Sequence, residues 1–289
     1  MGDITRILVI SDGKAGHENQ SLGLAEAMAR LRLAEIHTLR LDMKKWFYYR
    51  LKAAVAESAN YPRPDFVLAA GHATHPAALR IARKYGARSI SLMKPSLPAS
   101  WFDLCICPEH DFIGKPIPPN VISSKGALNR VVPNTGKKSG KFFLIGGPSK
   151  THGYDEAALI AQIKDIAGDD EWQVADSRRT PESFLHALKK ELPGLTIFPH
   201  QQTQPGWLAE KLSSVETVWV SEDSVSMIYE ALSSGAKVGV LEMPRLRPDA
   251  RVIRGLEVLR AEGFFDTKNP PRTLTEADRC AEILLRGRG

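Results

Sequence analysis

Thr217-Val-Trp-Val-Ser-Glu-Asp-Ser-Val-Ser-Met-Ile-Tyr-Glu-Ala-Leu-Ser-Ser-Gly-Ala-Lys-Val-Gly-Val-Leu241 reads as strand, helix and strand in immediate succession. Thr217–Val220 is a short β-rich apolar run bounded by polar residues, the mark of a buried strand. Small polar residues suited to a helix start follow, with Ser224 and Ser226 in the expected first turn. Ala231 permits close packing, Gly235 gives a helix stop, and Lys237–Leu241 reads as the next strand. Two strands joined by one helix form a parallel βαβ unit.

The same alternation continues in both directions. The first half carries candidate strands at Arg6–Ile10, Glu35–Leu39, Asp65–Ala70, Arg88–Met93, Asp103–Cys107 and Val121–Ser123, with helical patterns at Glu18–Leu31 and Pro76–Tyr85. The second half adds strands at Phe142–Ile145, Trp172–Ala175 and Leu195–Phe198, and helices at Asp155–Ala167, Pro181–Glu191, Pro205–Leu212, Asp223–Ser234 and Asp249–Ala261. Thr180-Pro181-Glu182 predicts a hydroxyl cap, proline at the first helical position and an acid near the positive helix end. The expected fold is α/β: two Rossmann-like, doubly wound domains facing a cleft. Pro133–Gly140 is the most linker-like stretch. It places the boundary between a domain of residues 1–136, read as the acceptor side, and one of residues 137–289, read as the nucleotide and donor side.

Composition limits the alternatives. A chain that is 43% hydrophobic and 25% charged is not generally disordered. No apolar run approaches the roughly 20 residues of a membrane span, and no leader pattern opens the sequence. The expected location is the cytoplasm, with peripheral attachment to the inner membrane as the variant. Cys105, Cys107 and Cys280 make neither a disulfide framework nor a zinc motif and read as buried thiols. The net charge of +6 suits an acidic partner. With scattered basic residues and no nucleic-acid motif, nucleic acid is not expected.

Ligands of open parallel sheets bind beyond the carboxyl ends of the strands. Ser11-Asp-Gly-Lys-Ala-Gly-His-Glu-Asn-Gln20 follows the first strand; Asp12, His17 and Glu18 are more titratable chemistry than a turn needs, and His17 is a candidate base. Its glycines lack nucleotide-fingerprint spacing, so a plain turn is an equal reading. Gly71-His-Ala-Thr-His75 holds two histidines without a third metal ligand, and satisfied loop residues are the stronger reading. Gly146-Gly-Pro-Ser-Lys-Thr-His152 is not a P-loop, since Pro148-Ser149 stands where glycine must precede the lysine. Ser177-Arg-Arg-Thr180 offers two arginines that either clamp phosphate or form a solvated loop.

The strongest signal is Ser221–Glu230. A helix N-terminus with hydroxyls can hold a diphosphate without a metal, and Asp223, Ser226 and Glu230 share a helix face. Glu230 is placed to accept hydrogen bonds from ribose hydroxyls. The competing reading is an ordinary capped helix.

Taken in order, SDGKAGHENQSLGL, LMKPSLP, DLCICPEHD, IGGPS, DSRRTP and SEDSVSMIYEALSSG resemble the mitochondrial-fission "elongated mitochondria" family and its bacterial relatives, from Ser11 to about Leu241. The resemblance implies a GT-B-like architecture similar to nucleotide-sugar glycosyltransferases. Under it Asp223, Ser224, Ser226 and Glu230 form a donor site, with Gly147, Ser149, Arg178 and Arg179 near the phosphates. Asp12 and His17 become the catalytic candidates, and Gly13, Gly16, Glu18 and Asn19 the rest of the acceptor-side loop. Glu222 and Glu230 have seven residues between them, the spacing of paired glutamates in many retaining glycosyltransferases; since relatives carry a small residue at Glu222, no stereochemistry is assigned.

The leading expectation is a metal-independent glycosyltransferase using a nucleotide-diphosphate sugar as co-substrate, with no cofactor and a cell-envelope glycolipid as acceptor. A nucleotide-sugar epimerase is the enzymatic variant. A non-catalytic membrane-associated scaffold is the alternative class. Lys44, Lys45, Trp46 and Phe47, in a run of aromatic and cationic residues, suit an anionic membrane surface; a helix packed on its own sheet, with its cations snorkelling, is the stronger reading of that run.

Overall fold

The computed structural model describes residues 4–134, 136–204 and 206–286. Thr135, within the linker-like stretch, and Pro205, an expected helix start, lie outside them. The chain divides into two compact units: one runs to Arg130 and includes the segment from Thr275 onward, and the other is Val131–Leu274.

The first unit is built from β1 (Thr5–Ser11), α1 (Ala15–Leu31), β2 (Ala34–Arg40), α2 (Phe47–Glu57), β3 (Phe66–Ala70), α3 (His75–Tyr85), β4 (Arg88–Leu92), β5 (Leu104–Pro108) and β6 (Val121–Ser124). The second contains β7 (Lys141–Leu144), α4 (Glu156–Ala167), β8 (Trp172–Ala175), α5 (Glu182–Glu191), β9 (Thr196–Phe198), α6 (Trp207–Ser214), β10 (Thr217–Ser221), α7 (Val225–Ser234), β11 (Lys237–Leu241) and α8 (Arg251–Ala261). A last helix, α9 (Glu276–Arg286), belongs to the first unit.

Both sheets are parallel throughout, in the orders β2-β1-β3-β4-β5-β6 and β11-β10-β7-β8-β9. Strand periodicity sends alternate residues to opposite faces. Ile7 and Val9 pack with Leu24 and Met28 of α1 and Leu284 of α9. Leu8 and Ile10 pack with Ala54 of α2 and Ile81 of α3. In the second unit Phe143 and Val174 meet Leu159 and Ile163 of α4 and Phe184 and Leu188 of α5. Burial on both faces explains why these strands read as continuous apolar runs. Cys105 and Cys107 share a strand face and are buried, and burial pushes both thiols up to about 12.

Three expectations are corrected. The boundary falls between Arg130 and Val131, not between 136 and 137, and the C-terminal segment returns to the first unit. There Arg30 of α1 donates to Asp278 at 2.6 Å, and Cys280 is fully buried. The i, i+3, i+4, i+7, i+8 spacing of Ala277, Cys280, Ala281, Leu284 and Leu285 is the signal for α9, a helix the sequence reading did not assign. Thirdly, Thr180 does not cap α5. Pro181 is the cap residue, with no side-chain cap bond, and the Thr180 hydroxyl is used elsewhere.

Candidate functional site

Strand order selects the place. From β7 the second unit winds outward through β8 and β9, then crosses back to lay β10 on the other side of β7. Neighbouring strands whose continuations depart in opposite directions leave a crevice beyond their carboxyl ends. The residues there are Gly146-Gly147-Pro148-Ser149 after β7 and Glu222-Asp223-Ser224 after β10.

Side chains staple these loops together. Ser221 Oγ accepts the Gly146 N–H at 2.7 Å, and Asp223 Oδ2 accepts the Gly147 N–H at 3.0 Å. Arg179 donates from Nη1 to the Gly147 carbonyl (2.7 Å) and from Nη2 to Ser224 Oγ (2.9 Å), and its Nη2 lies 2.7 Å from Asp223 Oδ2. Ser224 Oγ in turn donates to Asp223 Oδ2 at 3.1 Å. Thr180 Oγ1 accepts the Ser177 N–H at 2.9 Å and donates to the Gly146 carbonyl at 2.6 Å. A Cβ on Gly146 would overlap the Asp223 carboxylate, and one on Gly147 the Arg179 carbonyl. Both positions therefore require glycine because neighbouring atoms fill the space.

This geometry divides the predicted donor residues. Asp223, Ser224 and Arg179 bond to one another and to the loop main chain. The Asp223 side chain is wholly buried and that of Arg179 is 41% exposed, and the three form the frame of the site. Facing outward are Ser226, which is exposed, and Arg178, which is exposed and has neither hydrogen bond nor ion pair. Ser149 and Glu230 are half-buried. The first-turn N–H groups of α7 have no intrahelical acceptor and receive no side-chain cap. Uncapped N–H groups, the helix dipole and a free guanidinium together attract a polyanion.

Glu222 is buried in a charged network of its own. Arg245 donates to it from Nε at 3.0 Å and from Nη2, and Nη2 also donates to Glu257. His152, with no exposed surface, places Nε2 3.4 Å from Glu222 Oε2. The hydrogen bond from Glu222 raises the Arg245 guanidinium above its already high range. Glu222 is thus held by Arg245 inside the unit, and its spacing from Glu230 assigns no stereochemistry. Beyond β8 and β9, the 4%-exposed side chain of Asp176 accepts the His200 N–H at 2.5 Å and lies 2.9 Å from His200 Nδ1. Sequence reasoning gave no role to His152, Arg245, Asp176 and His200: His152 closes the Gly146–His152 loop and Asp176 opens the DSRRTP motif, but nothing local marks the partners they meet.

The first unit has its own reversal of strand order, between β1 and β3. His17 Nδ1 lies 3.0 Å from Oδ2 and 3.1 Å from Oδ1 of Asp12, whose side chain is buried. The proton on Nδ1 that such a carboxylate favours leaves Nε2 with a lone pair, as a base requires. Gly71, after β3, lies under the His17 ring, and a Cβ there would overlap it. Gly13 takes a left-handed φ of 78°, and both Gly13 and Gly16 border open space. Glu18 accepts from Ser11 Oγ (2.6 Å) and Arg40 Nε (3.0 Å). Burial raises the Glu18 carboxyl, but these two partners outweigh it and hold it below its ordinary range. Asn19 Oδ1 accepts the Arg130 N–H at 3.3 Å. Asp12 and His17 are therefore brought together, while Glu18 and Asn19 are held by Arg40 and the Arg130 main chain. His75 is buried 3.3 Å from Ser91 Oγ, and burial lowers it to about 4. Among the described residues no cluster of His, Cys, Asp or Glu could hold a metal ion, and no helix is long and apolar enough to cross a membrane.

Two doubly wound parallel units of this kind define the GT-B fold. MurG of Acinetobacter baumannii is similar with a TM-score of 0.56 at 11% identity, over 98% of this chain and 99% of that one. A UDP-GlcNAc 2-epimerase of Methanocaldococcus jannaschii gives 0.58 at 13% identity, over 99% and 100%. The chain belongs to the mitochondrial fission ELM1 family, whose profile matches residues 15–287. An uncharacterised protein of Rickettsia prowazekii is 22% identical over 295 residues, 82% of this chain and 83% of its own length.

Proposed function

We propose that this protein is a glycosyltransferase that binds a nucleotide-diphosphate sugar on its second unit. The uncapped N-terminus of α7, set at the reversal of strand order beside the two obligatory glycines, carries this reading. The diphosphate lies against the first-turn N–H groups and Ser226, with Arg178 as counter-charge, and Glu230 faces the ribose. Developing negative charge on the leaving diphosphate is then met by fixed dipoles and a cation, without need of a metal. In the first unit His17, held by Asp12, takes the proton of the acceptor hydroxyl. Likeness in fold to an epimerase of UDP-GlcNAc supports the ligand class and leaves a second enzymatic reading, in which the sugar is rearranged without an acceptor.

A thermal-shift panel of nucleoside diphosphates and nucleotide sugars tests the reading. A ligand at a hundred times its dissociation constant adds about 2.7 kcal/mol. Arg178→Ala and Ser226→Ala are expected to reduce that shift, and a panel without any shift removes the proposal. Proton NMR of the bound nucleotide sugar, incubated with no acceptor, separates the enzymatic readings: an epimerised sugar selects the second.

The acceptor is proposed to lie at an anionic membrane surface, as a cell-envelope glycolipid does. Trp46 is 80% exposed, Phe47 51%, and Tyr48 and Tyr49 64% each, while Ala54 is the buried residue of α2. The body of α2 packs on its own unit through Leu51, Ala54 and Val55, as the packed-helix reading expects, while the four aromatic rings at its start are largely exposed beside Lys44 and Lys45. Aromatic rings next to cations suit the headgroup layer. Sedimentation with phosphatidylglycerol vesicles is expected to recover the protein. Recovery should fall for Trp46→Ala/Phe47→Ala, and at high salt for the native chain. Equal recovery of both proteins overturns the membrane role.

A further inference from the structure

The Ser149 hydroxyl is the outer end of a chain of polar contacts that runs into the second unit. Ser149 Oγ accepts the main-chain N–H of Thr151 at 3.2 Å and of His152 at 3.0 Å. Those bonds use both of its lone pairs, leaving one proton, for Thr151 Oγ1 at 3.2 Å or for a ligand. Thr151 Oγ1 lies 3.0 Å from His152 Nδ1, and His152 Nε2 lies 3.4 Å from Glu222 Oε2. His152 and Glu222 are both buried.

The inner end sets the direction of the chain. His152 Nε2 makes no hydrogen bond, but the Glu222 carboxylate 3.4 Å away carries negative charge that favours the single imidazole proton on that nitrogen. Nδ1 is then an acceptor and takes the Thr151 proton, and Thr151 Oγ1 takes that of Ser149. In this state both hydroxyl protons point inward, and neither hydroxyl donates to an anion. A second proton, placed on Nδ1, reverses the order. Nδ1 now donates to Thr151 Oγ1, and the hydroxyl protons of Thr151 and Ser149 become free for an anion outside.

The surrounding charge makes this reversal depend on a ligand. Glu222, at the junction of β10 and α7, is already neutralised by Arg245 after β11, which is shared with Glu257 of α8. Arg260 of the same helix lies 3.9 Å from Glu222. An imidazolium among two arginines needs further negative charge nearby, and a bound diphosphate brings it.

We propose that Ser149, Thr151, His152 and Glu222 form a proton-coupled switch: a diphosphate binding beside the Gly146–Ser149 loop draws a proton onto His152 and releases the Ser149 hydroxyl proton from Thr151, so that it donates to the ligand. This rests on the diphosphate reading of the α7 N-terminus, to whose entry the Gly146–Ser149 loop is bonded. Titration calorimetry of UDP-N-acetylglucosamine at pH 7, in PIPES and in Tris, reads the protons exchanged. The ligand is a diphosphate diester that does not itself titrate there. The native chain is expected to take up as much as one proton per ligand. His152→Gln should take up none. Thr151→Val, which removes only the linking hydroxyl and leaves the buried imidazole packed, should bind the ligand with the uptake lost. Binding without proton uptake by the native chain, or uptake unchanged in Thr151→Val, overturns the switch and leaves the diphosphate reading standing. Absence of binding, together with a silent thermal-shift panel, removes both.

Discussion

Glu222→Ala is expected to unfold in urea with a loss of about 3 kcal/mol, the largest effect of any single change at this site. Removing one partner of a buried ion pair costs about 3–5 kcal/mol, because the other charge is left uncompensated. Here the Arg245 side chain is 32% exposed and part of its charge can be hydrated, which sets the value at the lower end. Arg245 also keeps Glu257. The double variant Glu222→Leu/Arg245→Met should recover most of the loss, since an apolar pair of similar volume needs no desolvation of charge. A loss below about 1 kcal/mol in the single variant would show that Glu222 is reached by water and is no frame residue.

Gly147→Ala is expected to cost about 1–3 kcal/mol, the usual penalty of overpacking, and to abolish the nucleotide-induced thermal shift. The new methyl group would collide with the Arg179 carbonyl and with the Thr180 N–H at 2.8 Å. Both atoms are main chain, so no rotamer change relieves the overlap. The loop must part from Ser177–Thr180, breaking the Arg179 and Thr180 bonds to Gly146 and Gly147. Gly194→Ala is the control: a Cβ there meets nothing within 4 Å, so stability should hold or rise by about 0.4–1 kcal/mol. A Gly147→Ala protein with native stability and an undiminished shift would show that the loop adapts and is not a fixed cradle.

The strands and most helices were legible because local pattern and environment agree. Phe66–Ala70 is apolar at every position and buried at every position, so a strand covered on both faces is its direct reading. The Ser221–Gly235 signal was also correct as to element: α7 begins after Ser224 and stops at Gly235, whose φ is 78°. The roles of its polar residues were not legible. Asp223 and Ser226 share a helical spacing, yet one is buried against Gly147 and Arg179 while the other is exposed. Spacing reports which face a side chain leaves from and says nothing of the loop that meets it. Thr180 shows the same limit: a good cap by type, it bonds instead to a carbonyl 34 residues away in the chain.

By itself, the sequence determined that this is a parallel α/β protein with polar, glycine-bearing loops after its strands. Hydrophobic periodicity is a property of each segment, and polar loops after strands are visible one at a time. Only the tertiary structure decided which of those loops are neighbours. It laid β10 beside β7 and β1 beside β3, and so brought Ser221 and Asp223 to Gly146 and Gly147, and His17 to Gly71. It also returned α9 to the first unit and gave Glu222 to Arg245 and His152. Each of these pairings spans distant parts of the chain, and no local propensity encodes it. Burial of both sheet faces, together with the need of every buried charge for a partner, selects these pairings.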